Sequence, residues 1–198
     1  SYMAELLIAL DKYVKSGIHI GSKFKTKFME PYIFKVRPDG LSVFNIQKIN
    51  DKLSAACNFI AQYEPDKILI VCRKESGKKP LKTLSKITGI RVITGRYLPG
   101  SMTNPNYLGN YMEPEILFVC DPWADRQAIK DALKIGIPII ALCDSNNTTN
   151  NIDLVIPCNN KAKKALSLIF YVLTKEYLKA KGKIKSDKEF NYKLKDFI

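Results

Sequence analysis

Short apolar runs alternate with longer stretches in which apolar residues recur every three or four positions. The runs are Ile68 to Val71, Ile90 to Ile93, Ile116 to Val119 and Pro138 to Leu142, with Leu154 to Ile156 as a weaker fifth. Between them, Leu81, Leu84 and Ile87 form a helical stripe closed by Gly89, and Ala128, Ile129, Ala132 and Leu133 form another closed by Gly136. Strands that read as continuous apolar runs are buried on both faces, which is what a parallel sheet between helices requires. The pattern predicts an α/β protein with a flavodoxin-like, doubly wound, mostly parallel sheet, helices on both faces and strand order 2-1-3-4-5.

Flanking segments fill in the rest. Met3, Leu7, Leu10 and Val14 recur at helical spacing ahead of Gly17, predicting an opening helix. Ile33 to Val36 and Leu41 to Phe44 flank Arg37-Pro38-Asp39-Gly40, a turn sequence that predicts a hairpin: proline presets its own φ and glycine accepts a positive one. Asn45 is a candidate N-cap for a helix whose inner face is Ile46, Ile49, Leu53, Ala56, Cys57 and Ile60. A last long helix begins at Asn160 and Lys161, turns Ala162, Ala165, Leu166, Ile169, Val172 and Leu173 inward, and stops at Gly182. Beyond it, Lys183 to Ile198 has no sustained apolar period and is expected to be ordered only by a partner. The expected organisation is one domain over residues 1–182 with a basic tail over 183–198. The stretch Thr94 to Asn110 holds Gly95, Pro99, Gly100, Pro105 and Gly109, which forbid a continuous helix or strand and predict a long loop.

Charge changes the picture more than composition does. The 198 residues carry 32 Lys and Arg against 19 Asp and Glu, a formal net charge of +13. That excess points to a polyanion, nucleic acid or an anionic membrane. From Lys161 onward there are 11 lysines and 4 acids, so +7 of the total lies at the C-terminus. Further clusters are Lys23, Lys25 and Lys27 around Phe24, and Arg73, Lys74, Lys78, Lys79, Lys82 and Lys86, with lysines 78, 82 and 86 in one helical stripe. Arg37, Arg96, Lys161, Lys163, Lys164, Lys175 and Lys179 complete the candidate phosphate contacts. On the last helix Lys164, Lys175 and Lys179 share one side at 100° per residue, opposite Leu166, Ile169 and Leu173. Several clusters that read no sequence suit docking on folded RNA better than DNA readout, and helix-turn-helix, zinc-finger and RNP aromatic signatures are absent. The longest strongly apolar stretch, Ala165 to Leu173, falls short of the roughly 18 residues a membrane span needs. No basic segment followed by an apolar core opens the chain, so it reads as intracellular.

Candidate chemistry is thin. Five widely spaced cysteines, Cys57, Cys72, Cys120, Cys143 and Cys158, contain no CxxC pair; they read as free, buried residues of a reducing compartment rather than as a metal site. Asp121 and Asp144 follow strands at the edge where open α/β sheets place ligands, which keeps a Mg²⁺ pocket or a phospho-acceptor open. Asp121-Pro122 and Asp144-Ser145-Asn146 also read as turn starters whose carboxylates bond nearby N–H groups. His19 is the only histidine, which excludes triads and multi-histidine metal sites. No GxGxxG or Walker spacing supports a nucleotide cofactor, and none is expected.

Five stretches together resemble one family: GIHIGSK at 17–23, RPDGLSVFNIQK at 37–48, ITGRYLPGSMTNP at 93–105, EPEILFVCDPWADRQAI at 113–129 and DLVIPCNNKAKKAL at 153–166. The chain resembles the archaeal and eukaryotic branch of small-subunit ribosomal protein two, the family that includes the laminin-receptor precursor, from about Leu7 to Gly182. The resemblance implies a flavodoxin-like fold, a place in the small subunit near the messenger exit side, ribosomal RNA and neighbouring ribosomal proteins as partners, and no catalytic activity. Trp123 and Arg126 depart from the arginine and histidine that the resemblance leads one to expect. The long helical-hairpin insertion of bacterial members has no counterpart, and the RPDGL turn favours an archaeal-type member over a divergent eukaryotic one. The expected protein is a cytoplasmic, RNA-binding structural component of the ribosome with no metal and no membrane partner; the rivals are an aspartate-based α/β enzyme or phosphate sensor and a membrane-surface protein. In the assembled particle the Thr94 to Asn110 loop is expected to be ordered, with Tyr97 either stacking on RNA or packing on the domain.

Overall fold

A computed structural model describes residues 5–106, 109 and 111–198. Its centre is a five-stranded parallel sheet of β3 (Ile68–Cys72), β4 (Arg91–Thr94), β5 (Ile116–Val119), β6 (Ile139–Cys143) and β7 (Leu154–Pro157), in the order β4-β3-β5-β6-β7. Counted within the sheet, that is the expected order 2-1-3-4-5. Register is set by pairs such as Leu69 with Arg91, Ile68 with Ile116, Leu117 with Ile139 and Ile140 with Leu154. Every residue of β3, β5 and β6 is buried, which is why these strands read as unbroken apolar runs.

Helices α2 (Ile46–Ile60), α3 (Lys78–Thr88) and α5 (Lys163–Ala180) pack side by side on one face. Helix α4 (Arg126–Ile135) packs on β5; the right-handed crossovers β3-α3-β4 and β5-α4-β6 run in opposite directions along the sheet and so place α3 and α4 on opposite faces. Asn45 caps α2, its side chain accepting from Lys48 N–H, and Gly89 and Gly136 end α3 and α4 in the left-handed conformation the pattern predicts. The hairpin of β1 (Ile33–Val36) and β2 (Ser42–Phe44) forms a separate antiparallel pair.

Both ends of the chain depart from expectation. The opening helix is only α1 (Leu10–Ser16), and the predicted inner residues Leu10 and Val14 are 53% and 48% exposed; Met3 lies outside the described residues. The preceding segment is not helical because α2 and α5 use its backbone: Asn50 accepts from Leu7 N–H and donates to Glu5 O, and Lys175 Nζ donates to Leu7 O at 2.9 Å. The C-terminal segment, expected to wait for a partner, packs on the domain. Phe190 and Phe197 are buried, Tyr171 meets both rings edge-on, Ser167 donates to Phe197 O and Thr83 donates to Asp196 O. Six apolar side chains in sixteen residues, without a period, suffice when α3 and α5 already offer a groove.

The expected loop after β4 is pinned rather than free. Tyr97 is buried, and Asp131 of α4 accepts from Tyr97 OH at 2.8 Å and Gly100 N–H at 2.9 Å. Positions 107, 108 and 110 of that loop, Asn110 among them, lie outside the described residues.

Candidate nucleic-acid interface

In a doubly wound sheet the strands end, and the helices that follow them begin, along one edge. Most of the basic residues singled out in the sequence gather at that carboxyl edge. Arg73 and Lys74 follow β3, Lys78 and Lys79 open α3, Lys161 precedes α5, and Lys163 and Lys164 form its first turn. The Lys23 to Lys27 segment docks there too. Ser22 N–H donates to Asp144 and to Ser145 Oγ, Thr26 N–H donates to Ser145 O, and Thr26 Oγ1 donates to Asn147 O. These bonds hold the segment against the loop after β6 and leave Lys23, Lys25 and Lys27 exposed.

Beneath the charges lies a buried polar network. Lys74 Nζ meets Asp121 at 2.7 Å and reaches Asn160, Asn147 Nδ2 donates to Asp121, and Asn160 Nδ2 donates to Asn147 Oδ1 and Leu142 O. Burial alone would raise the Asp121 pKa, but the Lys74 bond and charge, with N–H groups of Trp123 and Ala124, hold it below the usual carboxylate value. Burial raises the Asp144 pKa against N–H bonds from Ser145 and Ser22 and the charge of Lys161. Asp125 accepts N–H bonds from Arg73, Cys120 and Asp121, yet burial pushes its pKa up to about 7. Both aspartates singled out in the sequence therefore work on backbone: Asp121 accepts from Trp123 N–H at 2.9 Å and Asp144 from Ser145 N–H. All five cysteines are free and buried, and burial raises the thiol pKa of Cys57, Cys120, Cys143 and Cys158. Among the described residues no group of three or more His, Cys, Asp or Glu could hold a metal ion.

Other candidates lie elsewhere. Lys82 and Lys86 are exposed, but the stripe carries them down α3, and Lys86 sits in its last turn at the opposite edge. Arg37 pairs with Asp39 at 2.9 Å across the hairpin turn; Arg96, exposed two residues beyond the end of β4, stands instead at the outer end of the carboxyl edge. The predicted lysine face of α5 is not there. Lys175 is 4% exposed, holding Leu7 O and lying 3.5 Å from Asp187; Lys179 meets Asp187 at 2.8 Å and Glu176 at 3.4 Å. The α-helical period is right, but the N-terminal segment and the tail cover that side of α5.

Sequence reasoning missed Asp125, Asp131, Asn147 and Asn160, whose roles depend on backbone and side-chain groups brought together by the fold. In the sequence Trp123 and Arg126 stand out only as departures from a family pattern. Both line a cleft of about 590 Å³ with Lys74, Asp121, Asn146, Asn147 and Lys161. A second cleft, about 670 Å³, adjoins Lys23, Phe24, Asp144 and Lys161.

A sequence model of the ribosomal protein S2 family matches residues 13–113 and 109–180. The chain is 49% identical over 193 residues to the small ribosomal subunit protein uS2 of Picrophilus torridus, covering 98% of this chain and 96% of that one. With the same coverage it is 47% identical to the protein of that name from Thermoplasma acidophilum and 45% identical to that from Nanoarchaeum equitans.

Proposed function

The chain belongs to the ribosomal protein S2 family, structural constituents of the small ribosomal subunit and not enzymes, and from that premise we propose that the carboxyl edge of its sheet is the surface that grips ribosomal RNA. Its partners are ribosomal RNA and other ribosomal proteins, and it works as part of the ribosome, in the cytoplasm on this reading. No described helix is long and apolar enough to cross a membrane.

One observation carries the proposal. The first turns of α2, α3, α4 and α5 contain no acid, and they hold Lys48, Lys78 with Lys79, Arg126, and Lys163 with Lys164. A helix N-terminus has the positive end of the macrodipole and unpaired N–H groups, so bases there oppose the helix. A polyanion laid along this edge reverses the sign, since phosphates are drawn by the lysines and the dipoles together. Lys23, Lys25, Lys27, Arg73 and Lys161 extend the same surface. Arg96 continues it past β4, Lys82, Lys86 and Arg37 extend it only to RNA that wraps beyond the edge, and Lys175 and Lys179 serve the fold. The exposed Phe34 and Val36 of the hairpin suit a protein neighbour better than phosphate.

The test is binding of small-subunit ribosomal RNA over a salt series, comparing the natural chain with a variant carrying Lys78→Gln, Lys79→Gln, Lys163→Gln and Lys164→Gln. The slope of log K against log salt should fall by about 0.7 to 0.9 for each phosphate that the variant no longer neutralises. Unchanged affinity and slope would move the RNA to another surface.

A further inference from the structure

We propose that the cleft beside Trp123 is a stacking site for one unpaired nucleotide of the bound RNA, with the indole as platform and Arg126 and Lys161 as phosphate contacts. This inference rests on the carboxyl edge being the RNA surface and adds what the edge reads there.

Trp123 is the only tryptophan in the chain, and its residue is 71% exposed. A large indole left in water is costly unless something covers it. The backbone that carries it is fixed from both sides: the main-chain N–H of Trp123 donates to the buried Asp121 carboxylate at 2.9 Å, and Arg126 Nη1 donates to Trp123 O at 2.9 Å. The Arg126 guanidinium lies over the ring, 4.5 Å from its centroid. One face is thus occupied by a cation, and the exposure belongs to the rest of the ring. A base stacking there meets an indole set on a fixed backbone and already in contact with Arg126, which lowers the side-chain entropy lost on binding.

The surroundings select the occupant. The cleft, about 590 Å³, has the size of a small-ligand site, and Asn146, Thr148 and Asn150, all exposed, line it together with the indole. Two amides and a hydroxyl match the edges of a base, whereas an apolar protein anchor would leave them unpaired. Among the described residues no carboxylate pairs with Arg126, and Lys161 stands half-exposed 3.9 Å from Asp144. Both cations have capacity for phosphate. A base within a duplex has both faces stacked on its neighbours, so the occupant is a bulged, looped or single-stranded nucleotide.

Trp123 emission reports this site alone. The full chain is titrated with a single-stranded oligoadenylate, an abasic oligomer of equal charge and an RNA duplex of equal length, while filter retention measures total binding. Oligoadenylate should quench the emission to saturation, and the abasic oligomer and the duplex should be retained without quenching. Trp123→Ala should weaken oligoadenylate retention roughly tenfold to a hundredfold, with duplex retention unchanged; Trp123→Phe should restore part of it. Oligoadenylate retained with unchanged emission, or equal affinity of Trp123→Ala and the natural chain, would overturn the stacking site. If the Trp123 contribution, read as the emission difference between the natural chain and Trp123→Phe, responds to RNA-free ribosomal proteins of the small subunit but not to oligoadenylate, the indole belongs to a protein and the stacking site is overturned too. Retention by the four-lysine variant reads the basic edge and emission reads the indole, so the two readings fail separately.

Discussion

The two edges of the sheet carry similar residues to opposite effect. At the carboxyl edge, the first turns of four helices hold bases and no acid, against their dipoles, and the one acid at a helix start is the buried N-cap Asp125 of α4. At the amino edge, Lys86, Lys134 and Lys179 occupy the last turns of α3, α4 and α5, where a cation is favourable. Acids are interspersed there: Asp153 accepts from Ile139 N–H at 2.7 Å and Glu64 pairs with Lys181. The amino edge is balanced within the protein; at the carboxyl edge the acids are the buried Asp121, Asp125 and Asp144 and the exposed Glu75, and bases outnumber them. The net charge of +13 points to a polyanionic partner, and on the proposed reading the carboxyl edge is where it lies.

The strongest test of this division concerns the tail, whose lysines look like part of the RNA surface but whose aromatics belong to the core. Truncation after Gly182 removes the buried Phe190 and Phe197 and uncovers Tyr171. At about 1.5–3 kcal/mol for each large buried side chain, the loss should be on the order of 4 kcal/mol in urea unfolding. A truncated chain as stable as the full one would return residues 183–198 to the RNA surface.

The next largest effect concerns the framework under the carboxyl edge. Asp125→Asn replaces one carboxylate oxygen by an amide that must face an N–H of Arg73, Cys120 or Asp121. It should cost about 2–3 kcal/mol at neutral pH, the range for an unmet buried group. The pH dependence has a definite sign. The Asp125 pKa is raised by burial from 3.8 to about 7, so the folded state holds the proton more tightly than the unfolded chain. The stabilisation is complete below the unfolded value near 3.8 and is lost as pH rises through about 7. The stability difference between the natural chain and Asp125→Asn should therefore shrink between pH 4 and 7, by at most about 1.4 kcal/mol per pH unit. A difference constant over that range would show that Asp125 ionises as an ordinary aspartate and that the three N–H bonds outweigh burial.

The contrast also shows what a sequence can and cannot expose. The strand order and the ends of α3 and α4 follow from local pattern, because apolar runs and glycines act where they stand. The clusters at Lys23 to Lys27, Arg73 to Lys79 and Lys161 to Lys164 are visible as charge, and helix direction then places them. Lys175 is misread from sequence because a helix period says which residues share a side but not which sides are covered. The N-terminal segment and the tail cover that side of α5, and neither has a pattern that announces its docking. Asp125 and Asp131 escape for a related reason: Asp125 holds backbone N–H groups 4 to 52 positions away, and Asp131 holds a tyrosine hydroxyl and a backbone N–H 34 and 31 positions away, and no local pattern announces either pairing.

The smallest effect discriminates best between the edges. Lys163 and Lys134 are both lysines at helix ends, the first in the opening turn of α5 and the second in the last turn of α4. Lys163→Gln removes a charge that opposes the macrodipole and should raise stability by about 0.3–1 kcal/mol at low ionic strength. Lys134→Gln removes one that favours it and should lower stability by a similar amount. Both shifts should fade as salt screens the dipole, which separates them from packing effects that salt leaves alone. RNA affinity should run the other way, with Lys163→Gln binding ribosomal RNA more weakly and with a shallower salt slope, and Lys134→Gln binding as the natural chain does. A protein that becomes more stable as it binds less well has kept that lysine for its partner. If instead the two variants shift stability in the same direction, or Lys134→Gln weakens RNA binding as much as Lys163→Gln, the edges do not differ as their helix ends imply.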